Sequence, residues 1–342
     1  MRDVIHTENE LEEALSAPRP ELVAFIRTVS SPLVLLGASG KMGPTLALLA
    51  RRAAEAANHP LKIIAASRFS DPGVRAWLQE RGVQTIQVDL LDPAATQRLP
   101  DSENVIYLAG LKFGTALNPS LTWAVNTLAP AHVMERYARA RIVALSTGNV
   151  YPLVPVTSGG ATETHPLTPI GEYANAAVAR ERIFEYASRK NGTPLALIRL
   201  SYAVELRYGV LVDIARRIWA GDRLDLSNGW FNCIWQGDAN EMILRALGLV
   251  ESTPHAWNLS GPEPIAVRAT AAAFGRLLDR EAHLTGTETD TALLSTSAKL
   301  YASLGRPAVS PDVMIRWIAY WVKSGGKSLG KPTHFEVRDG NY

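Results

Sequence analysis

Cysteine is almost absent from this chain. Cys233 is the only one in 342 residues, so neither an intrachain disulfide nor a cysteine-rich metal site is available. A buried structural thiol is the simplest expectation for it. Net charge is equally scarce: the formal +2 gives no electrostatic reason to expect nucleic acid or an anionic membrane as a partner. The doublets Arg51-Arg52 and Arg216-Arg217 read as solvated helix faces. No apolar run approaches the ~20 residues needed to span a bilayer. The stretch from Met1 to Glu13 is acidic and polar, unlike a secretory signal, which points to the cytoplasm. His132, His165, His255 and the other histidines are scattered, without H-x-x-x-H or H-E-x-x-H spacing, so no metal is implied. There is no repeat period and no low-complexity tract.

What remains is ordinary globular material, 47% apolar and 20% charged, long enough for one large domain or two modest ones. Residues 7–29 read as helix, with capping-box spacing between Thr7 and Glu10 and with Pro20 placed to open a second segment. From Pro32 onward, short runs alternate with helical patterns. The runs are Leu33–Leu36, Leu61–Ala66, Val83–Val88, Val105–Leu108, Ile142–Leu145 and Leu195–Leu200. They are taken as apolar without alternation, as strands covered on both faces must be. Between the first two, Leu46, Leu49, Ala50 and Ala53 mark one helical face. The expected class is α/β, a doubly wound parallel sheet of Rossmann type with a smaller C-terminal substrate lobe. The expected divisions are a helical flank at 1–31, a dinucleotide-binding domain at 32–201, a lobe at 202–325 and a tail at 326–342. A strand near 255–260 is expected to rejoin the first domain. The tail, after a Gly/Lys-rich linker, mixes apolar and ionic residues (His334, Phe335, Glu336, Arg338), which suits a segment docked on its own chain or crossing a dimer.

The segment Gly37-Ala-Ser39-Gly40-Lys41-Met42-Gly43-Pro44 joins the first strand to a helix. A pyrophosphate approaching backbone N–H groups at a helix N-terminus requires side chains to vanish and the turn to tolerate positive φ. Pro44 suits a first helical turn, where its missing N–H costs little. A glycine triplet between strand and helix at the start of an α/β rhythm is therefore read as a nicotinamide dinucleotide site.

The G-x-x-G-x-x-G spacing resembles the short-chain dehydrogenase/reductase superfamily, specifically its extended, epimerase/dehydratase-like branch. The resemblance extends over about residues 32–325. It includes Asp89-Leu90 after the third strand, where the family places an acid near the adenine, and Val105-Ile-Tyr-Leu-Ala109-Gly110 in the fourth. It further includes Asn126 in a helix, Ser146-Thr147-Gly148-Asn149-Val150-Tyr151 at the end of the fifth strand, and Tyr173. Gln236-Gly-Asp238 and Asn258-Leu-Ser-Gly-Pro262 match later landmarks. The resemblance implies a dimer pairing the helix near 119–138 with the one after Tyr173. It also implies a small carbohydrate-derived substrate handled by hydride transfer, in oxidoreduction or epimerisation.

The second strand ends Ala65-Ala66-Ser67-Arg68 with no acid for a ribose 2′-OH. Ser67 and Arg68 suit a 2′-phosphate, so NADP is expected, with NAD the alternative. For the chemistry, the resemblance implies a tyrosine as acid/base and a lysine one helical turn later that binds ribose and lowers the tyrosine pKa. Tyr173 is in place, but the lysine position holds Ala177. A cation lowering the phenol pKa by ~2–3 is worth ~3–4 kcal/mol. Something else must supply that, or the protein is a non-catalytic cofactor sensor. The expected catalytic set is Thr147, Tyr173, Asn126 and Lys112, the last as the replacement cation. Arg180, two turns beyond Tyr173, is the other candidate and is expected to lie too far from the phenol. The Asp-Glu pair that serves the family's dehydratases is here Gly148 and Asn149, neither of which titrates.

Overall fold

The computed structural model describes residues 3–112, 114, 117–331 and 333–340. The apolar runs form β1 (Leu33–Leu36), β2 (Ile63–Ser67), β3 (Gln84–Gln87), β4 (Asn104–Tyr107), β5 (Arg141–Thr147) and β6 (Leu195–Leu200), joined by β7 (His255–Leu259). They make one parallel sheet in the order β7-β6-β5-β4-β1-β2-β3. The helices are α1 (Glu8–Ser16), α2 (Pro20–Ile26), α3 (Gly43–Ala56), α4 (Pro72–Glu80), α5 (Pro93–Gln97), α6 (Pro119–Arg136) and α7 (Gly171–Asn191). They continue as α8 (Val210–Ala220), α9 (Gln236–Arg245), α10 (Val267–Leu278), α11 (Ala298–Leu304) and α12 (Pro311–Lys323). None is long and apolar enough to cross a membrane.

The sheet is covered on both faces, and the strand period of two sorts its residues between them. Leu33, Leu35, Ile63, Ala65, Ile106 and Val143 pack with α2, α3 and α9. Val34, Leu36, Ile64, Ala66, Val105 and Tyr107 pack with α6 and α7 on the opposite side. The strand β3 departs from the expectation of an apolar strand covered on both faces. It is the sheet edge, and none of Gln84–Gln87 is fully buried. Polar residues there leave the open edge solvated.

Residues 7–29 hold two helices, and Pro20 opens the second as expected, because Pro18 and Pro20 flank an extended Arg19. Thr7 Oγ1 accepts from the Glu10 backbone N–H (3.1 Å), and the Glu10 carboxylate accepts from the His6 N–H (2.6 Å). Of the arginine doublets expected as solvated faces, Arg51 does pair with Glu55 along its helix surface (2.8 Å), but the other three are anchors. Arg52 bonds Ser16 Oγ (2.7 Å), Arg216 bonds the Gly326 carbonyl (2.9 Å) and Arg217 pairs with Glu336.

A second core joins α8, α10 and α12 with Leu11 and Leu15 of α1 and with Phe335 of the tail. Cys233 lies within it, and burial pushes its thiol pKa up. The tail therefore docks on its own chain. Phe335 packs edge-on to Phe231 (6.5 Å between centroids), and Arg338 donates to the Thr291 carbonyl and hydroxyl (2.8 Å each). The order of strands reverses at β1 and β4, so the crevice for a ligand opens beyond their carboxyl ends.

Candidate active site

The glycine turn leaves β1 and runs into α3. Gly37 has φ +81°, donates to the Ala66 carbonyl (2.8 Å), and would place a Cβ 2.6 Å from the Ala109 nitrogen. At Gly43 a Cβ would lie 2.3 Å from the Ala38 carbonyl oxygen. Both glycines are thus demanded by the protein itself. Gly40 is different: its φ is not positive, and the nearest atom to a Cβ would be the Gly37 carbonyl oxygen at 3.5 Å, an ordinary contact. The fold does not require a glycine there. The space it leaves opens on a groove lined by Ser39, Ser67, Arg68, Asp89, Leu90 and Ala109. No side chain caps the start of α3. The Gly40 and Gly43 N–H groups bond the Gly37 and Gly40 carbonyls (3.2 and 3.1 Å), so what fits a dinucleotide here is the cleared backbone at an uncapped helix N-terminus.

At the adenosine end, Ser39 Oγ and Ser67 Oγ are 2.6 Å apart, and Arg68 is exposed on the rim. Asp89 Oδ1 accepts the Leu91 N–H at 3.0 Å, so part of its acceptor capacity serves the local turn. Leu108 and Gly110 line both this groove and a second, larger crevice, so the two adjoin.

The second crevice brings together Lys41, Met42, Lys112, Thr147, Tyr173 and Arg180. Since β4 and β5 pair directly, Tyr107 opposite Ala144, the segment carrying Lys112 and the strand end carrying Thr147 open on one edge. Thr147 is buried. Its hydroxyl donates to Asn149 Oδ1 (2.9 Å) and accepts from the Asn149 N–H (3.2 Å). Tyr173, in the first turn of α7, is 7% exposed. Asn126 is buried in α6 and bonds the carbonyls of Thr122 (2.8 Å) and Leu111 (3.4 Å). Its Oδ1 accepts from Arg180 Nη1 (3.0 Å), which also reaches the Ala109 carbonyl (3.3 Å).

Lys41 was expected to serve the cofactor turn, but its side chain leaves the turn and crosses the crevice. Its Nζ donates to the Ala203 carbonyl and lies 4.3 Å from the Tyr208 ring centre. Burial lowers the Lys41 ammonium to about 7; Glu205 opposes this and the charge on Lys112 adds to it. Burial likewise lowers Lys112 to about 8, against the pull of Asp213.

Ala177, at the position where the resemblance implies a lysine, is fully buried against Val150, Tyr151 and Leu294. A lysine there would bury an ammonium in an apolar cluster, so the packing favours an alanine at this position. Below Thr147 lies a buried ion pair. Glu181 accepts from Arg199 Nη2 (2.7 Å) and Nε (3.0 Å) and from the Ser146 hydroxyl. Arg199 also donates to Tyr151 Oη (2.7 Å), which donates to Asn258 Oδ1 (2.8 Å). A Cβ at Gly148 would lie 2.1 Å from Ser201 Oγ, so Ser201 fills the space an aspartate would need.

Sequence reasoning passed over Tyr208, Ser201 and Thr333, which line the crevice from the lobe and the tail. Nothing near them in the chain signals a site. For Arg180 a signal existed in Gly110, where a Cβ would sit 2.4 Å from its Nη1, but only the fold reveals that the glycine makes room for the arginine.

The model of the NAD dependent epimerase/dehydratase family matches residues 33–218. No curated protein sequence matches the chain. Among solved structures it resembles the UDP-glucose 4-epimerase of Thermus thermophilus in complex with NAD, at 20% identity and TM-score 0.66 over 86% of this chain and 99% of that one. It also resembles the UDP-glucuronic acid 4-epimerase of Bacillus cereus in complex with NAD, at 15% identity and TM-score 0.71 over 86% and 100%. A third is the dTDP-glucose 4,6-dehydratase of Bacillus anthracis in complex with NAD, at 13% identity and TM-score 0.71 over 86% and 97%.

Proposed function

The chain belongs to the NAD dependent epimerase/dehydratase family, and from that premise we propose that it is an oxidoreductase or epimerase acting on a sugar or sugar derivative. The observation that carries this reading is the meeting of Thr147 and Tyr173 in a crevice that adjoins the groove at Gly40. Gly37, Ser39, Gly40, Gly43 and the backbone of Lys41 and Met42 would hold the pyrophosphate. Ser67, Arg68, Asp89 and Leu90 would take the adenosine end, and Ala109 and Gly110 the middle. A nicotinamide bound there supplies a hydride acceptor and donor for a sugar carbon. Thr147 keeps a lone pair to accept a substrate hydroxyl, and the Tyr173 phenol would exchange a proton with the reacting oxygen. Arg180 and Lys112 are the cations available to stand in for the missing lysine. Dehydration through an Asp-Glu pair is disfavoured by Gly148 and Asn149.

The test is product analysis after incubation with NAD, NADP and a panel of free and nucleotide-linked sugars. An epimerised or oxidised sugar is expected, with Tyr173→Phe lowering kcat by roughly 10²–10³-fold. The buried Ala177 favours a second reading, a sensor without turnover. Such a protein would discriminate oxidised from reduced cofactor and convert nothing in the panel.

For the cofactor, we infer a preference for NADP from the absence of an acid at the end of β2 and the exposed Arg68 on the groove rim. Arg68→Ala should remove most of the gap between NADP and NAD, about 1–3 kcal/mol for a charge-assisted contact. Equal affinities in the unaltered protein, by calorimetry, would make NAD the natural cofactor.

We also propose a homodimer through the α6–α7 face. Trp123 (39% exposed), Leu128 (52%) and Tyr186 (68%) leave apolar surface on these two packed helices. Light scattering at micromolar concentration should give the dimer mass, and Leu128→Arg should give the monomer. A monomer without the substitution would count against this face.

A further inference from the structure

Tyr173 sits in the first turn of α7, and no side chain caps that turn. Uncapped terminal turns are where helices fray first, yet a phenol that must meet a reacting oxygen needs its helix start held. On one side α6 holds it, through the Trp123 indole N–H on Glu172 (2.6 Å). On the other side the tail does. Gly340 and Gly171 both have positive φ (+78° and +80°) and pack backbone to backbone. A Cβ on Gly171 would lie 2.5 Å from the Gly340 carbonyl oxygen, and one on Gly340 would lie 2.3 Å from that of Ile170. Neither position has room for a side chain, so the contact is a matched pair of glycines. The tail is fixed along its length before it arrives there. Thr333 gives its N–H (2.8 Å) and hydroxyl (2.5 Å) to Asp213, a carboxylate that also faces Lys112 in the crevice. Phe335 is buried in the second core, and its carbonyl accepts from Asn228 (2.5 Å). Arg338 holds the Thr291 carbonyl and hydroxyl. The same segment walls the site. Thr333 lines the crevice, while Arg338 and Gly340 line a small cleft with Asn149, the residue that bonds the Thr147 hydroxyl.

We propose that residues 333–340 form a strap that positions Tyr173, acting through Gly340 on the start of α7. The inference rests on the reading of Tyr173 as the group that exchanges a proton with the reacting oxygen. It adds that the phenol is placed by a segment anchored on the other core and drawn across the crevice. The strap is a positioning element, because Gly340 acts on the reacting atoms only through the helix. Displacing a catalytic group by about 1 Å can cost roughly 10²-fold in rate, so the seat of one helix turn matters to the chemistry.

The experiment compares Gly340→Val and Arg338→Ala with the unaltered protein. The valine adds bulk at the glycine pair, whereas Arg338→Ala loosens the strap without adding anything at α7. Both leave Phe335 in its core. Turnover is read on whichever sugar the product analysis identifies. Gly340→Val should lower kcat by at least about tenfold, with KM and the dinucleotide Kd within about twofold. Arg338→Ala should act in the same direction by less. A merely stabilising tail would lower the thermal midpoint and leave kcat per folded molecule unchanged. A second readout needs no turnover. In protein grown with 3-fluorotyrosine, the fluorine resonance that vanishes in Tyr173→Phe should shift or broaden in both variants. The Tyr137 resonance, at the far end of α6, should stay where it is. If the unaltered protein converts nothing, the proposed function fails and the fluorine signal decides the strap by itself. An unmoved Tyr173 resonance, an unchanged kcat per folded molecule in an active protein, or a loss confined to KM or to dinucleotide affinity would each overturn the proposal.

Discussion

Replacing Gly40 by valine is expected to lower the affinity for a nicotinamide dinucleotide by at least about 100-fold, near 3 kcal/mol, with the fold intact. The reason lies in what surrounds each glycine of the turn. A Cβ at Gly40 meets nothing closer than 3.5 Å, so the protein tolerates it, and the isopropyl group projects into the groove where a pyrophosphate must lie. Gly37→Ala and Gly43→Ala serve as contrasts. Their methyl groups would meet backbone at 2.6 and 2.3 Å, so those variants should lose stability as well as binding. Calorimetry reads the affinity and thermal denaturation reads the fold. A Gly40→Val protein that binds as tightly as the original would remove the turn from the cofactor site.

The second large effect concerns the ion pair beneath Thr147. Glu181 is fully buried and Arg199 is 4% exposed. Burial alone would lower the Arg199 pKa, but the hydrogen bonds and charge of Glu181 hold it above the ordinary value. Removing one partner leaves an uncompensated charge in a low-dielectric interior. Glu181→Leu is therefore expected to cost about 3–5 kcal/mol of stability, measured by urea unfolding. The Ser146 hydroxyl loses its acceptor at the same time, which loosens the strand end carrying Thr147. Pairing Glu181→Leu with Arg199→Met should recover part of the loss, because no orphan charge then remains. A single Glu181→Leu variant within about 1 kcal/mol of the original would show that water reaches this pair.

The missing lysine looks different once the chain is folded. From spacing alone, Lys112 is the natural replacement and Arg180 lies two turns from Tyr173, too far along one helix to matter. In the structure both line the crevice, joined by Lys41 from the other side of the turn. Distance along a helix measures reach only within that helix. The Arg180 side chain runs across to α6 and to the end of β4, where Asn126 and Ala109 receive it. Ala177, meanwhile, faces an apolar cluster, so restoring a lysine at that position would not restore the charge to the site.

The sequence by itself determined the parallel sheet, its first strand and the glycine turn that follows it. These rest on local patterns: apolar runs of strand length, a glycine triplet between strand and helix, and an acid-free end to β2. Each is set by the conformational needs of a few consecutive residues, so each can be read in order along the chain. It also marked Thr147 and Lys112 as residues of one sheet edge, because strand ends in such a fold share a face, while Tyr173 on its helix came from the family resemblance. Tertiary structure alone decided the rest. The polar edge strand β3, the docking of the tail through Phe335 and Arg338, the turning of Lys41 into the crevice and the burial of Arg180 all depend on contacts between distant segments. Thr333 meets Asp213 across 120 residues, and Tyr208 and Ser201 reach the crevice from loops with no motif of their own. Charge in a cleft is a sum over every segment that faces it. The composition of +2 hides it, and only the packing of those segments brings the cations together.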